Sequence, residues 1–510
     1  MSHRTLAAVL LTLAACHTPL LRAAQPCGDL AALKLPDTTL TVATEVAAGA
    51  FVPAGGGARG RGANTFASLP PFCRVAGVIR PSADSAIAFE VWMPLQGWNQ
   101  RFQGVGNGGL AGTVSYPAMA SALASGFATA STDTGHGPDG GMNAAPWALG
   151  HPERIIDFGY RSVHEMTVKS KAVVDAFYGT QPRYSYWVGC SEGGRQGMGE
   201  AQRYPADYDG IVAGAPVIGF THTQTRSLAL QKILRADNTA FIPASKLQML
   251  HAAVLGQCDA LDGVRDGVIT DPPRCNIDFT KIQCKAGDQP DCLTAAQVRY
   301  IRADYAGPRN PRTGELLAPG HSPGFETRGT AETFTPEAIQ PSAFWRYFVF
   351  DDPKWDGSHF DFDQDVAFAD RKLGAVMNNF DPDLRAFKAR GGKLIHYHGW
   401  ADAQPSPANS VVYFGDVQKA VGGDSSDFYR LFMIPGMGHC GGGPGTDQFD
   451  KLGAIRAWVE QGQAPKQILA EHRTGGQADR SRPLCPHPQL AKYKGSGNTD
   501  DAANFACAAP

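Results

Sequence analysis

A sharp turn between a strand and a helix is the feature that most constrains how this chain can fold. Residues 184–188 form a short run typical of a buried strand, and the sequence Gly-Cys-Ser-Glu-Gly follows directly at residues 189–193. Glycines on both sides of Ser191 tolerate the backbone angles and the crowding of such a turn. The pattern predicts a strand–turn–helix unit that presents Ser191, although a chain with 59 glycines also forms ordinary glycine turns of this type.

Strands and helices alternate on both sides of this turn. Residues 163–177 carry apolar side chains at helical spacing, and another helix is expected from residue 192 to about residue 204. Further strands are expected at residues 86–93, 101–105, 393–398 and 427–434, and a final amphipathic helix is marked by Phe449, Leu452, Ile455, Trp458 and Val459. This alternation predicts an α/β fold with a parallel sheet and helices on both faces.

The alternation stops within one long segment, residues 221–375, which we call the lid. The segment is polar, rich in proline and glycine, and contains four of the cysteines. We expect an inserted lobe that is stabilised by disulfides, with a metal ion as a further candidate. Residues 25–220 and 376–510 would then be two parts of one sheet-containing domain.

The overall charge argues against a polyanionic partner. A formal net charge of -2 leaves no basic surface for nucleic acid or for anionic membranes. Beyond the N-terminal segment, no apolar stretch is long enough to span a bilayer. We therefore expect the partner to be a small or neutral molecule.

Residues 1–24 are typical of an export signal. Arg4 precedes an apolar stretch at residues 6–15, which is too short to cross a membrane. Residues 13–16 have the form of a lipoprotein cleavage box, which would make Cys16 a lipidated N-terminus. The alternative is ordinary cleavage near Ala23 or Ala24. Both interpretations predict an exported protein, which would be secreted, periplasmic or anchored to the outer membrane.

Either form of cleavage excludes Cys16 from the disulfides and leaves ten cysteines. An even number in an exported protein argues for five disulfides, although sequence alone does not establish their pairing. Neighbours along the chain suggest the couples Cys27/Cys73, Cys258/Cys275, Cys284/Cys292 and Cys485/Cys507, which leaves Cys190 and Cys440 for each other. The alternative for the last two is a pair of buried free thiols.

Two further residues have the order and position of partners for Ser191. A serine hydroxyl becomes a good nucleophile when a histidine accepts its proton and a carboxylate orients that histidine. In an α/β-hydrolase these groups follow one another as Ser, acid and His, each beyond the carboxyl end of a strand. Asp402 follows the strand at residues 393–398, and His439 follows the strand at residues 427–434.

The competing residues fit other roles better. His396 and His398 lie inside a strand, where a core or supporting role is expected, and His164 lies in a helix. Asp351 and Asp352 belong to the lid. In addition, Cys190 precedes Ser191 and Cys440 follows His439. A disulfide between these cysteines, with Cα atoms about 4.4–6.8 Å apart, would hold the serine and the histidine in neighbouring positions.

These motifs resemble those of a known family. The combination Cys190-Ser191, Asp402 and His439-Cys440 is similar to the CS-D-HC motif of the tannase and feruloyl esterase family. The resemblance runs from about residue 27 to the C-terminus. It implies an α/β-hydrolase fold and hydrolysis of carboxylic esters of aromatic acids such as gallate or ferulate. The family also includes hydrolases of mono(2-hydroxyethyl) terephthalate, which is the alternative substrate class.

An oxyanion hole and a calcium loop complete the expected site. The backbone N–H of Glu192 is expected to be one oxyanion donor. The resemblance implies Gly108 as the second, with Gly109 as the next candidate, although glycines at this place could also simply form a turn. Residues 258–268 contain three aspartates, which alone indicate either an acidic turn or a calcium site, although not an EF-hand. The resemblance implies a structural Ca²⁺ in the lid. Its ligands would be the side chains of Asp259, Asp262 and Asp266 and the backbone carbonyls of Val264 and Val268. No organic cofactor is expected.

Two interpretations remain as alternatives at this point. The chain could be a calcium-dependent binding protein that has lost its catalytic role, but that would require a disrupted triad. Phe344, Trp345 and Arg346 in the lid could contact an acyl group, but an apolar patch of this kind is more often core.

Overall fold

The computed structural model describes residues 25–53, 66–110, 112–138, 144–327 and 342–510. The predicted export signal at residues 1–24, with Cys16 and both cleavage sites, lies outside the described residues. Within the described part, no helix has the length and apolar character needed to cross a membrane.

A nine-stranded sheet forms the centre of the molecule, in the order β1-β2-β3-β5-β4-β6-β7-β8-β9. The strands are β1 (Thr38–Val46), β2 (Phe72–Ile79), β3 (Ile87–Pro94), β4 (Arg101–Val105), β5 (Ala128–Thr132), β6 (Tyr184–Cys190), β7 (Gly210–Gly214), β8 (Lys393–Gly399) and β9 (Tyr429–Ile434). The strands from β5 across to β9 pair in parallel. The sheet therefore has the predicted parallel core.

The other edge of the sheet differs from the prediction, because β1, β2, β3 and β5 pair antiparallel. The physical reason is the length of the connections. Residues 80–86 are the whole link between β2 and β3, and a link this short permits only a hairpin, since a parallel crossover needs a dozen or more residues.

Helices cover both faces of the parallel strands. They are α1 (Tyr116–Ala124), α2 (Pro152–Ile156), α3 (Ser162–Tyr178), α4 (Glu192–Arg203) and, after the lid, α12 (Ala408–Ala420) and α13 (Lys451–Gln461). Adjacent strand residues point to opposite faces. On one face, Trp187 belongs to an apolar cluster with residues of α3, α4 and α12. On the other face, Tyr186 belongs to a cluster with Ile455 and Trp458 of α13.

The lid contributes no strand to the main sheet within its described residues, since the chain leaves β7 at Gly214 and re-enters the sheet at Lys393. The helices between these strands are α5 (Phe220–Thr223), α6 (Thr225–Ala236), α7 (Ala244–Cys258), α8 (Ala295–Ala306), α9 (Gln364–Ala369), α10 (Ala375–Met377) and α11 (Arg385–Ala389). Two apolar clusters fill this region, one around Trp345 and one around Leu250. Burial of apolar side chains thus adds to the disulfides. The boundaries at residues 221 and 375 stay a prediction.

The C-terminal region contains strands that the sequence pattern did not predict. They are β10 (Gln448–Phe449), β11 (Ile468–Thr474), β12 (Gln477–Leu484), β13 (Leu490–Tyr493) and β14 (Phe505–Ala508). The prediction that Phe449 belongs to the last helix was wrong, because this residue lies in β10. The Asp450 side chain accepts a hydrogen bond from the Gly453 N–H at 2.7 Å, which caps α13 and starts it at Lys451.

Candidate active site

Ser191 lies between the end of β6 and the start of α4. Its backbone has φ 62° and ψ -120°, a left-handed conformation that a non-glycine residue adopts only when its surroundings enforce it. The Ser191 N–H donates to the Gly214 carbonyl at 2.9 Å, which ties the turn to β7. An ideal Cβ on Gly189 would lie 2.3 Å from the Gly193 carbonyl oxygen, so the turn requires glycine there.

Asp402 and His439 meet beyond the ends of β8 and β9. The His439 Nδ1–H donates to Asp402 Oδ2 at 2.8 Å, and the Gln404 N–H donates to Asp402 Oδ1 at 2.7 Å. Because the carboxylate can only accept, His439 carries its proton on Nδ1 and its Nε2 is free to accept another. This is the tautomer that a general base for a serine hydroxyl needs.

Hydrogen bonding decides the charge of Asp402. Burial alone would raise the pKa of this carboxyl, but the hydrogen bonds from His398 and His439 outweigh burial and hold the pKa well below its usual range. Asp402 therefore stays ionised under any condition in which His439 acts as a base.

A disulfide joins the serine turn to the histidine loop. Cys190 and Cys440 are bonded with their Cα atoms 6.0 Å apart, although 250 residues separate them in sequence. The structure therefore brings Ser191 and His439 into adjoining loops. The other disulfides join the couples Cys27–Cys73, Cys258–Cys275, Cys284–Cys292 and Cys485–Cys507.

The glycine loop after β4 is held against the start of α4. The Gly193 N–H donates to the Asn107 carbonyl at 2.9 Å. Asn107 and Gln196 also exchange two hydrogen bonds, with Asn107 N donating to Gln196 Oε1 at 3.2 Å and Gln196 Nε2 donating to Asn107 Oδ1 at 3.1 Å. These contacts place Asn107, the residue before Gly108, beside the turn that carries the Glu192 N–H.

Sequence reasoning missed the roles of Asn107 and Gln196, and also that of the Glu192 side chain. Glu192 and Arg195 form a buried ion pair of 2.5 Å in the first turn of α4. The Arg195 guanidinium also donates to the Phe158 and Gly159 carbonyls, at 3.0 and 2.9 Å. The sequence signal that could have indicated this buried ion pair is the presence of opposite charges at i,i+3 spacing directly after the serine.

Two lid side chains reach the loop that carries Asp402. His321 bridges Asp304 Oδ1 at 2.8 Å and the Ala403 carbonyl at 3.0 Å. Arg226 donates to the Gln404 carbonyl at 3.0 Å. The lid therefore supports the acid loop directly, which no pattern in the sequence indicated.

The remaining candidates occupy structural positions. Phe344 and Trp345 are buried in a lid core, and Arg346 lies over the ring of Tyr347. His164 Nδ1 lies 2.7 Å from Asp207 Oδ2, and Asp351 pairs with Lys372 at 2.6 Å.

The acidic loop at residues 258–268 has oxygen ligands of the kind that calcium prefers. Burial raises the pKa of Asp262, and the nearby charges of Asp266 and Asp259 add to this rise. A bound cation would act in the opposite direction, because it favours the ionised carboxylate. The donor set therefore fits Ca²⁺. In the described residues, however, no three acidic, histidine or cysteine side chains already converge as a metal site, and Asp266 pairs with Arg482 at 2.7 Å.

The strand–turn–helix around Ser191, with an acid after β8 and a histidine after β9, defines the class: this protein has the α/β-hydrolase fold. The model of a family described as tannase and feruloyl esterase matches residues 73–508. The chain belongs to this family and is a carboxylic ester hydrolase. The resemblance seen in the sequence is thereby confirmed.

Individual relatives agree with this assignment. The chain is 39% identical to an uncharacterized esterase of Xanthomonas campestris pv. campestris, over 99% of this chain and 94% of the relative. It is 37% identical to the mono(2-hydroxyethyl) terephthalate hydrolase of Piscinibacter sakaiensis, over 87% and 86% of the two chains. The crystal structure of feruloyl esterase B from Aspergillus oryzae is similar with a TM-score of 0.85 and 30% identity, covering 95% of this chain and 99% of that one.

Proposed function

We propose that the protein hydrolyses esters of aromatic acids, such as ferulate or gallate, with Ser191 as the nucleophile. The observation that carries the proposal is the Asp402–His439 hydrogen bond of 2.8 Å in a loop that the Cys190–Cys440 disulfide fastens to the serine turn. Similarity to a feruloyl esterase over 95% of the chain supports the aromatic acid as the acyl part.

In the proposed mechanism, His439 Nε2 accepts the proton of the Ser191 hydroxyl while the serine oxygen attacks the ester carbonyl. The N–H groups of Glu192 and Gly108 donate to the oxyanion that forms. Protonated His439, stabilised by ionised Asp402, then gives its proton to the leaving alcohol. Water repeats these steps on the acyl-enzyme and releases the acid.

Replacing Ser191 with alanine tests this mechanism. We expect Ser191→Ala to abolish hydrolysis of methyl ferulate and methyl gallate and to abolish labelling by a fluorophosphonate, because no other group carries the attacking oxygen. Ser358→Ala, at an exposed lid serine, is the matched control and should keep full activity. Persistent hydrolysis by a folded Ser191→Ala protein would contradict the proposal.

The 37% identity to a terephthalate monoester hydrolase favours a second substrate class. Comparing kcat/KM for methyl ferulate, methyl gallate, chlorogenate and mono(2-hydroxyethyl) terephthalate separates the two classes. We expect the phenolic esters to be preferred, and a clear preference for the terephthalate monoester would select the alternative.

We further propose that the acidic loop binds a structural Ca²⁺ through side chains of Asp259, Asp262 and Asp266 and carbonyls of Val264 and Val268. The three aspartates within eight residues support this, as does the rise that burial, together with the charges of Asp266 and Asp259, causes in the pKa of Asp262. Calorimetric titration with CaCl₂ should give one site, and chelation should lower Tm. Asp262→Asn should remove both effects, whereas Asp291→Asn, at an exposed lid position outside the loop, should keep them. Equal calcium binding by both variants would contradict this site.

We also propose that the protein is exported. Five disulfides fit an oxidising compartment. The intact mass of the mature protein distinguishes lipidation at Cys16 from cleavage near Ala23 or Ala24, and retention of residues 1–24 would contradict export through this signal.

A further inference from the structure

A line of buried polar side chains leads from Asp402 into the sheet, and the catalytic steps above do not use it. His398 Nε2 lies 3.1 Å from Asp402 Oδ2, and His398 Nδ1 lies 2.6 Å from Ser410 Oγ. The same Oγ lies 2.8 Å from His396 Nε2, and His396 Nδ1 lies 2.8 Å from the Tyr429 hydroxyl. All of these side chains are fully buried. We call His398, Ser410, His396 and Tyr429 the polar chain.

The partners determine which atom donates in each of these hydrogen bonds. Complete burial holds the pKa of His396 far below its usual value, so His396 has one N–H. In the described residues, the Tyr429 hydroxyl has no hydrogen-bond partner other than His396 Nδ1. If Tyr429 accepted from His396, it would bury its own proton without an acceptor, which is unfavourable. Tyr429 therefore donates to His396 Nδ1.

The remaining directions follow one after another. His396 carries its proton on Nε2 and donates to Ser410 Oγ. The single Ser410 proton then goes to His398 Nδ1, because among the described residues this is the other hydrogen-bond partner of the hydroxyl. His398 must carry its proton on Nε2, and this N–H donates to Asp402 Oδ2. Every hydrogen bond in the polar chain thus points toward Asp402.

We propose that His398 is a positioning residue for ester hydrolysis, and that Ser410, His396 and Tyr429 act by holding its Nε2–H tautomer toward Asp402. The inference rests on the proposed roles of Asp402 and His439. His398 and His439 share one carboxylate oxygen, Oδ2, while the Gln404 N–H occupies Oδ1. Three donors therefore determine the rotation of the carboxylate, and with it the orientation of His439.

The tautomer matters because the opposite one would turn a lone pair of His398 toward the negative oxygen. Asp402 would then be repelled from the position in which it orients His439. Since His398 acts only through Asp402, we expect its loss to change kcat rather than KM. A displacement of about 1 Å in a catalytic group lowers the rate by up to about 10²-fold.

Substitutions at His398 and Ser410 test the proposal. His398→Leu should lower kcat on the order of 10²-fold with KM unchanged. His398→Gln, whose side-chain amide can donate to Asp402, should recover most of this loss. Ser410→Ala does not alter Asp402 itself, but it removes the hydrogen bond that keeps the proton of His398 on Nε2. Its kcat should therefore lie between that of the wild type and that of His398→Leu. His472→Leu, in the β11–β12 hairpin, is the control at a histidine far along the chain from these groups.

Nitrogen NMR of protein labelled with ¹⁵N-histidine tests the tautomers directly, even if His398→Leu does not fold. We expect His396 and His398 to be protonated on Nε2 and His439 on Nδ1, and we expect Ser410→Ala to mix the His398 tautomers. A His398 with its proton on Nδ1, or on both nitrogens at neutral pH, would overturn the inference. So would wild-type kcat in a folded His398→Leu protein when Ser191→Ala is inactive. Activity in Ser191→Ala would instead refute the proposed function.

Discussion

At the scale of single residues, the candidate site depends on backbone conformations that are costly elsewhere. Ser191 and Cys440 both have φ of 62°, a left-handed conformation that costs on the order of 1–3 kcal/mol for a non-glycine residue. The disulfide from Cys190 and the hydrogen bond to Gly214 hold the serine turn in this form. Glycine at position 189 is what lets the turn close so tightly.

Gly189→Ala should therefore lower both stability and activity. The added Cβ would lie 2.3 Å from a backbone oxygen that cannot move aside without shifting the turn, and overpacking of this kind costs about 1–3 kcal/mol. Gly415→Ala is the matched control, because it lies in α12 with no atom within 4 Å of the new methyl group. The control should gain about 0.5–1 kcal/mol. Urea unfolding measures the change in stability, and kcat/KM measures the change in activity. Equal stability and equal kcat/KM in the two variants would contradict the requirement for glycine at position 189.

At the scale of elements, ion pairs tie helices to the sheet. Arg101 of β4 donates to Glu460 in α13 with Nε 2.7 Å from Oε1, and the Tyr186 hydroxyl of β6 donates to the same oxygen at 2.7 Å. These hydrogen bonds, chiefly that from Arg101, lower the pKa of Glu460 to about 2. The ionised form is thus favoured by folding.

The sign of this shift predicts how stability depends on pH. A carboxyl whose pKa is lowered by folding stabilises the protein above its ordinary pKa, and this contribution is lost as pH falls toward the folded value. Glu460→Gln should therefore lower the free energy of unfolding near neutral pH, and the difference from wild type should shrink between about pH 4.5 and pH 2. Urea unfolding of both proteins across this range measures it. A difference that is independent of pH would show that the pair is not responsible.

At the scale of the whole molecule, the Cys190–Cys440 disulfide closes a loop that contains the entire lid and the Asp402 loop. Its 250-residue separation contrasts with the 8 residues between Cys284 and Cys292. Chain entropy gives roughly 5 kcal/mol for the long loop and about 2–3 kcal/mol for the short one, before the other crosslinks are taken into account.

Removing each disulfide separately should show this difference. Cys190→Ala with Cys440→Ala should lower the free energy of unfolding by about 5 kcal/mol at most and should also reduce kcat, because the serine and histidine loops lose their link. Cys284→Ala with Cys292→Ala should cost less and leave kcat unchanged. Unfolding and steady-state kinetics test both, and an unchanged kcat in the first variant would mean that the link has no part in catalysis.

Features encoded by neighbours in sequence could be predicted from the sequence. The parallel strands β4, β6, β8 and β9 and helix α4 follow from local periodicity, and the bounds agree within a few residues. The strand β3 was predicted, but its antiparallel pairing with β2 and β5 was missed, because pairing depends on how the chain connects the strands and not on the residues of one strand. The strands β11 and β12 were missed because few of their residues are buried, so they lack a clear apolar pattern.

The order of residues by itself determined the serine turn, the acid and histidine after two later strands and the resemblance to the family, and it suggested the cysteine couples, which the structure then established. These features depend on glycine, on spacing and on order along the chain, which are local properties. Only the tertiary structure decided that His398 shares Oδ2 of Asp402, that Asn107 and Gln196 hold the glycine loop, and that the lid supports the acid loop. Such contacts join residues that the chain brings together through space, and their hydrogen bonds leave no periodic trace in the sequence.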